Sequence, residues 1–264
     1  MKRYIQSEEL KTIQLDILND IASFCEDNNL SYFLSYGTLI GAIRHNGYIP
    51  WDDDIDICMP RPDYDKFLEK YNNRNSSYKV ISHEIDGTYS LPFGKVHDTR
   101  TVMNETMYKQ DCFGVYVDVF PLDGCDKKGS QIKITIKLTK LLNAKKAILD
   151  GKRSFVKNII IALGKVALMF VSVNDILLKL KKACSDIPYS ESEYVASVAA
   201  SYGVFEVMKK SDLEETIFHD FEGCKFRVPK NYDMYLKQIY GDYMQLPPED
   251  KRVSHHTFEA WWKE

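Results

Sequence analysis

Four carboxylates fall within five positions in Pro50-Trp51-Asp52-Asp53-Asp54-Ile55-Asp56-Ile57. In Asp54-Ile55-Asp56-Ile57 the acids alternate with aliphatics, a β-strand period that would aim both acids at one face and both isoleucines at the other. Like charges held that close repel unless a cation lies between them. An all-oxygen donor set suits a hard ion such as Mg²⁺ or Mn²⁺. A solvated acidic turn is the plainer reading of a lone Asp-x-Asp. Here, however, the acids run straight into the apolar stretch Ile55, Ile57, Met59, bounded by Pro50 and Pro60, and the metal reading is the better one. Asp52 and Asp53 precede the strand and are read as shaping the turn or lying behind the metal ligands.

Two acids leave a divalent ion short of protein ligands, so a third is expected on a neighbouring strand. Asp118 is the candidate, a single acid inside Val115-Tyr-Val-Asp-Val-Phe120. A charge there is costly unless it binds metal or pairs with a nearby Arg or Lys. Cations for a phosphate should surround such a site. Arg44 could fork onto phosphate oxygens or cap the end of a helix. Lys95, with His97 and Asp98 close by, sits in the strand-like Phe93-Gly-Lys-Val-His-Asp98. Trp51 could stack on a base or face a quaternary ammonium. His255 and His256 are suggestive only.

The elements that must position these groups are legible in outline. Apolar residues at helical spacing (Leu10, Ile13, Ile17, Leu18, Ile21, Phe24) predict a helix over 8–28. A strand follows at about 30–36, then Gly37-Thr38 opens a short helix to His45. The acidic strand is expected at 54–59, and Pro62 and Asp63 mark the next helix start. Strands are predicted at 78–84, 91–97 and 114–120, and helices dominate from 131 to 182. Strand, Gly-Thr turn, short helix and acidic strand is the arrangement that nucleotidyltransferase-fold enzymes use. There the backbone N–H groups after the Gly face a phosphate, so Gly37 and Thr38 join the candidate site. The expected fold is α+β: a mixed sheet flanked by helices (residues 1–130), a basic helical subdomain (131–200), and a C-terminal segment packing back on the core (201–264).

Composition sets the outer bounds. The 264 residues, 44% hydrophobic and 28% charged, describe an ordinary globular chain. No apolar run approaches the roughly 20 residues needed to cross a bilayer, and the N-terminus leads into a polar amphipathic pattern, so a cytoplasmic location is expected. The six scattered cysteines contain no Cys-x-x-Cys pair and are read as free thiols. The net charge of −3 hides an asymmetry: residues 131–182 hold twelve Lys/Arg against Asp150 and Asp175. Their apolar centre, 159–171, is interrupted by Lys165. Such a region fits basic helices lying on an anionic membrane surface, or a solvated basic face on a packed helical cap. No nucleic-acid partner is expected.

The stretch Phe33-Leu-Ser-Tyr-Gly-Thr-Leu-Ile-Gly-Ala-Ile-Arg-His-Asn-Gly-Tyr-Ile-Pro-Trp-Asp-Asp-Asp-Ile-Asp-Ile57, continuing to Leu68, resembles the LicD family. So do Gly94-Lys-Val-His-Asp-Thr99, Val117-Asp-Val-Phe-Pro-Leu-Asp123 and Tyr240-Gly-Asp-Tyr-Met-Gln-Leu-Pro-Pro248. Tyr36 stands where that family often has a small residue. The resemblance implies a nucleotidyltransferase-type fold and transfer of a phosphorylated alcohol, typically phosphocholine from CDP-choline, onto a sugar hydroxyl of a bacterial surface glycan. Lipopolysaccharide or a lipid-linked teichoic-acid precursor would be the acceptor, met at the inner membrane face. Related enzymes imply ribitol phosphate or glycerol phosphate as alternatives, and ordinary nucleotidyl transfer from an NTP is the other reading. Carried over by position, Asp54, Asp56 and Asp118 are the Mg²⁺-binding carboxylates, and Arg44 and Lys95 are diphosphate contacts.

Overall fold

The computed structural model describes residues 2–87, 89, 91–105, 113–146, 159, 161, 162, 164, 168–200, 203–253 and 258–264. Cys112, Lys165, His255 and His256 lie outside these. After a short strand β1 (Arg3–Tyr4), helix α1 (Ser7–Asp27) buries Leu10, Ile13, Ile17, Leu18, Ile21 and Phe24, as their spacing predicts. Strand β2 is only Phe33–Leu34, and helix α2 (Tyr36–His45) begins earlier than expected. Tyr36 opens it with a left-handed φ of +49°. That kink, uncommon for a bulky residue, ends the strand. Asn46 closes α2 at φ +55°, where an Asn side chain tolerates the left-handed region.

Strand β3 (Asp56–Pro60) leads directly into α3 (Arg61–Lys70), with Pro62 in its first turn. Strands β4 (Tyr78–Ile81), β5 (Gly94–Asp98) and β6 (Thr101–Glu105) follow. Next comes β7 (Tyr116–Cys125), whose ten residues are all buried. β7 is the axis of the sheet. The order β2-β3-β7-β5-β4 places it between a parallel neighbour, β3, and an antiparallel one, β5. A strand flanked on both sides reads as a nearly continuous apolar run, so its two acids, Asp118 and Asp123, stand out.

The basic region contains α4 (Ser130–Lys146) and α5 (Val173–Cys184), which pack together through Leu142, Ile176, Leu177 and Leu180. Ser172 caps α5 by accepting from the Asp175 N–H at 2.9 Å. Strand β8 (Tyr194–Ala196) then pairs with the far end of β7 and with β9 (Met208–Lys209), joining the helical region to the central sheet. A short helix α6 (Ser211–Glu214) precedes the hairpin β10 (Thr216–Phe221) and β11 (Cys224–Pro229), which is followed by helix α7 (Tyr232–Tyr240). Strand β12 (Phe258–Trp262) pairs with β1 and β6, bringing the chain's two ends together. Cys25, Cys58, Cys125, Cys184 and Cys224 are free thiols. Among the described residues no helix is long and apolar enough to cross a membrane.

Candidate active site

The parallel register of β3 and β7 sets Asp56 directly beside Asp118. On the other side of β7, Lys95 of β5 is Asp118's antiparallel partner. Its Nζ donates to Asp118 Oδ1 at 2.6 Å and lies 3.3 Å from the Tyr116 ring centroid. Lys95 is only 3% exposed, and a lysine that buried needs an anionic partner. Asp118 is therefore both the neighbour of Asp56 and the ion-pair partner of Lys95.

One expectation is corrected. Asp54 and Asp56 do not share a strand face, because the strand starts only at Asp56 and Asp54 belongs to the preceding loop. The physical reason is pairing: β2 offers β3 partners only for Ile57 and Cys58, and β7's ladder begins at Asp56. The curl of that loop brings the carboxylate oxygens of Asp52, Asp53 and Asp54 within 4.8 Å of one another. Asp52 and Asp53 thus belong to the acidic cluster itself. Asp56 is pushed well above the usual carboxylate range, first by burial and then by Asp54, Asp118 and Asp52, with Lys95 pulling the other way.

The Gly-Thr turn holds this loop in place. A Cβ on Gly37 would lie 2.8 Å from Asp52 Oδ2, so glycine lets a carboxylate pack on the first turn of α2, where an anion is favoured. Thr38 is buried, and its hydroxyl accepts from the Asp56 N–H at 2.8 Å. Gly41 permits the close return of the chain, since a Cβ there would meet the Gly47 carbonyl at 2.4 Å.

At the other end of α2, Arg44 donates from Nη1 to the Tyr243 carbonyl at 2.6 Å and from Nε to His45 Nε2 at 2.9 Å. Burial, then Arg44, lowers the His45 pKa. Trp51 meets His45 edge to face, and the Arg252 guanidinium lies 5.7 Å from a Trp51 ring centroid. The C-terminal segment therefore closes over the side of the site that carries Arg44 and Trp51.

Two supports had no clear signal in the sequence. Gln14, buried on α1, donates to the Asp53 carbonyl at 2.9 Å and accepts from Tyr48 Oη at 3.2 Å. Glu222, at the β10–β11 turn, accepts from the Tyr48 N–H at 2.9 Å. A polar residue inside an apolar helix face was the available hint for Gln14; Glu222 is an ordinary turn residue until the fold is known. A cavity of about 730 Å³ lies elsewhere, lined by Arg61, Glu84, Leu177, Lys181 and Tyr189 among others. It flanks the other end of β7, roughly 16 Å along the strand from Asp118.

A mixed nucleotidyltransferase-like α+β fold with clustered carboxylates at the start of two parallel strands defines the class. Residues 29–136 match the family model described as LicD/FKTN/FKRP, nucleotidyltransferase domain. Over 96% of its length the chain is 32% identical to the lipopolysaccharide cholinephosphotransferase LicD of Haemophilus influenzae, covering 97% of that protein. Shorter stretches match uncharacterised proteins of Rickettsia typhi (40% over 88 residues, 32% of this chain and 28% of that one) and Rickettsia prowazekii (36% over 63 residues, 24% of each). The chain belongs to the LicD family.

Proposed function

We propose that this enzyme transfers phosphocholine from CDP-choline to a sugar hydroxyl of a surface glycan, lipopolysaccharide or a lipid-linked teichoic-acid precursor, releasing CMP. The observation that carries this reading is the β3–β7 register. It adds the Asp56–Asp118 pair to the Asp52–Asp54 cluster in a chain similar, end to end, to a cholinephosphotransferase. The donor set fits a hard divalent ion: every group is a carboxylate, and mutual repulsion is already evident at Asp56. Asp54, Asp56 and Asp118 would hold Mg²⁺ or Mn²⁺, which supplies charge neutralisation at the diphosphate.

The chain's own groups account for the rest. Lys95 would move its ammonium from Asp118 to a phosphate oxygen when the donor enters. Arg44 and Arg252 would contact the nucleotide's phosphates, with Trp51, which packs against His45 and lies beside Arg252, as a stacking surface. A carboxylate of the Asp56–Asp118 pair accepts the proton of the attacking sugar hydroxyl. Glycerol phosphate, ribitol phosphate and nucleotidyl transfer from an NTP remain the competing chemistries. A thermal-shift screen with Mg²⁺ against CDP-choline, CDP-glycerol, CDP-ribitol and CTP separates them, followed by product analysis. Selective stabilisation by CDP-choline of a few kcal/mol at saturating ligand, with CMP as product, is the expected result. Pyrophosphate release would overturn it.

A second observation supports a peripheral position on the inner membrane face. Phe170 is 90% exposed and Met169 61%, in a region carrying twelve basic residues. Each well-placed cation adds about 1 kcal/mol toward an anionic bilayer, an attraction weakened by salt. Vesicle co-sedimentation should show binding to phosphatidylglycerol membranes at low ionic strength. Equal binding to neutral vesicles would return the segment to a solvated cap.

A further inference from the structure

Three aromatic rings and a buried carboxylate stand next to the acidic pair, and nothing in the transfer step uses them. On β7, Phe120 lies two residues beyond Asp118 and so shares its face, about 7 Å further along the strand. Phe93, just before β5, packs on Phe120 with ring centroids 4.5 Å apart. Tyr36, at the left-handed start of α2, meets Phe120 edge to face at 5.4 Å. Beyond Tyr36 is Glu206, only 5% exposed, whose Oε2 accepts from the Tyr36 hydroxyl at 3.1 Å. Glu206 comes from a turn between β8 and β9, and nothing in its surrounding sequence marks it as functional.

The order along this wall is Asp118 with Lys95, then Phe120 and Phe93, then Tyr36 and Glu206. One end suits a phosphate and its counter-charges. The middle is hydrocarbon and aromatic. The far end carries the Glu206 carboxyl group in low-exposure surroundings, close enough to Asp56 that both act on the Cys58 thiol.

We infer that Phe93, Phe120, Tyr36 and Glu206 form the subsite that selects the alcohol, and that it takes a quaternary ammonium. This rests on the phosphotransferase reading above and adds to it the reason for one alcohol over another. Aromatic faces attract a methylated cation, and a desolvated carboxylate behind them strengthens the field without requiring a hydrogen bond from the ligand. A polyol such as glycerol or ribitol needs a partner for each hydroxyl it buries. The wall's rings offer the Tyr36 hydroxyl, which donates to Glu206. The same wall therefore favours choline and penalises the polyols.

The test is calorimetric titration of the full chain with CDP-choline, CDP-glycerol and CDP, each with Mg²⁺. Wild type should bind CDP-choline at least about tenfold more tightly than CDP-glycerol or CDP. Glu206→Gln, which keeps an acceptor for Tyr36 but removes the charge, should lose most of that preference while its affinity for CDP stays the same. Phe120→Leu should do likewise and serves if the Glu206 variant does not fold. Wild type binding CDP and CDP-choline equally, or variants that weaken both ligands in parallel, would overturn the subsite and leave the nucleotide reading standing. No binding of CDP by wild type would overturn both.

Discussion

The two ends of the parallel pair β3–β7 hold acids in opposite ways. At the start, Asp56 and Asp118 sit side by side, Asp52, Asp53 and Asp54 cluster in the preceding loop, and three neighbouring acids act on Asp56 against the opposing effect of Lys95. Five residues further, Asp123 is fully buried but receives the Arg61 Nε at 2.6 Å, with Arg61 also near Asp65 and Glu84. Both ends put a carboxylate in a buried strand. At the far end all three acids face one guanidinium, whereas at the start the acids crowd one another, a repulsion that folding alone gives no reason to keep. A matched buried ion pair holds elements together, here β7 to α3. An unmatched acidic cluster costs stability and marks the place where a cation and a diphosphate are expected.

Substitution at the start of the strands should break this contrast most sharply. Asp56→Asn is expected to lower CMP release by roughly 10³-fold or more, while the melting temperature without metal holds or rises because repulsion is relieved. Near-wild-type turnover would remove Asp56 from the metal site.

The opposite outcome is expected at the matched end. Asp123→Ala leaves the Arg61 guanidinium only its longer contacts to Asp65 and Glu84 and should cost about 3 kcal/mol in denaturant unfolding, with turnover per folded molecule unchanged. A stable but inactive variant would mean that the two ends are functionally coupled.

Acid titration sharpens the comparison. Burial raises the Asp123 pKa to about 6, against the pull of Arg61. Between about 4 and about 6 the native state keeps a proton that the unfolded chain has lost. Its contribution is thus fullest below that window, falls as pH rises through it, and is flat above, by up to about 3 kcal/mol. Comparing unfolding of wild type and Asp123→Asn across this range isolates the effect, and identical slopes would refute it.

The smallest expected effect is at Gln14. Removing its amide leaves the Asp53 carbonyl without its side-chain donor and should cost about 1–2 kcal/mol. A loosened acidic loop should also raise the Mg²⁺ concentration needed for half-maximal activity. An unchanged metal requirement would reduce Gln14 to packing.

Much of this site was readable before the fold. The acidic run, Asp118 and Lys95 stand out because charges inside apolar strands have few benign explanations, and α1 follows directly from its period. What escaped depends on pairing across the sheet. Asp54 looks strand-like in sequence, yet the neighbouring ladders start only at Asp56. Asp118 was open to two readings, metal ligand or ion-pair partner; the cation beside it arrives from β5, 23 residues away. Gln14 and Asp53 are separated by 39 residues, and Tyr36 and Glu206 by 170. Contacts of that span leave no local periodicity to detect.

The β3–β7 register also bears on how the molecule assembles. Asp56 meets Asp118, and Arg61 meets Asp123, across the same separation of 62 positions. Closing that loop has an entropic cost before any contact repays it, and at one end it drives two carboxylates together. Lys95 is nearer to Asp118 in the chain and joins it through an antiparallel neighbour. The shorter loop therefore carries the contact that neutralises Asp118, while the Arg61–Asp123 pair repays closure of the longer one at the far end. Lys95 thus offsets, through the sheet's antiparallel ladder, part of the repulsion that the parallel ladder builds in at its acidic end.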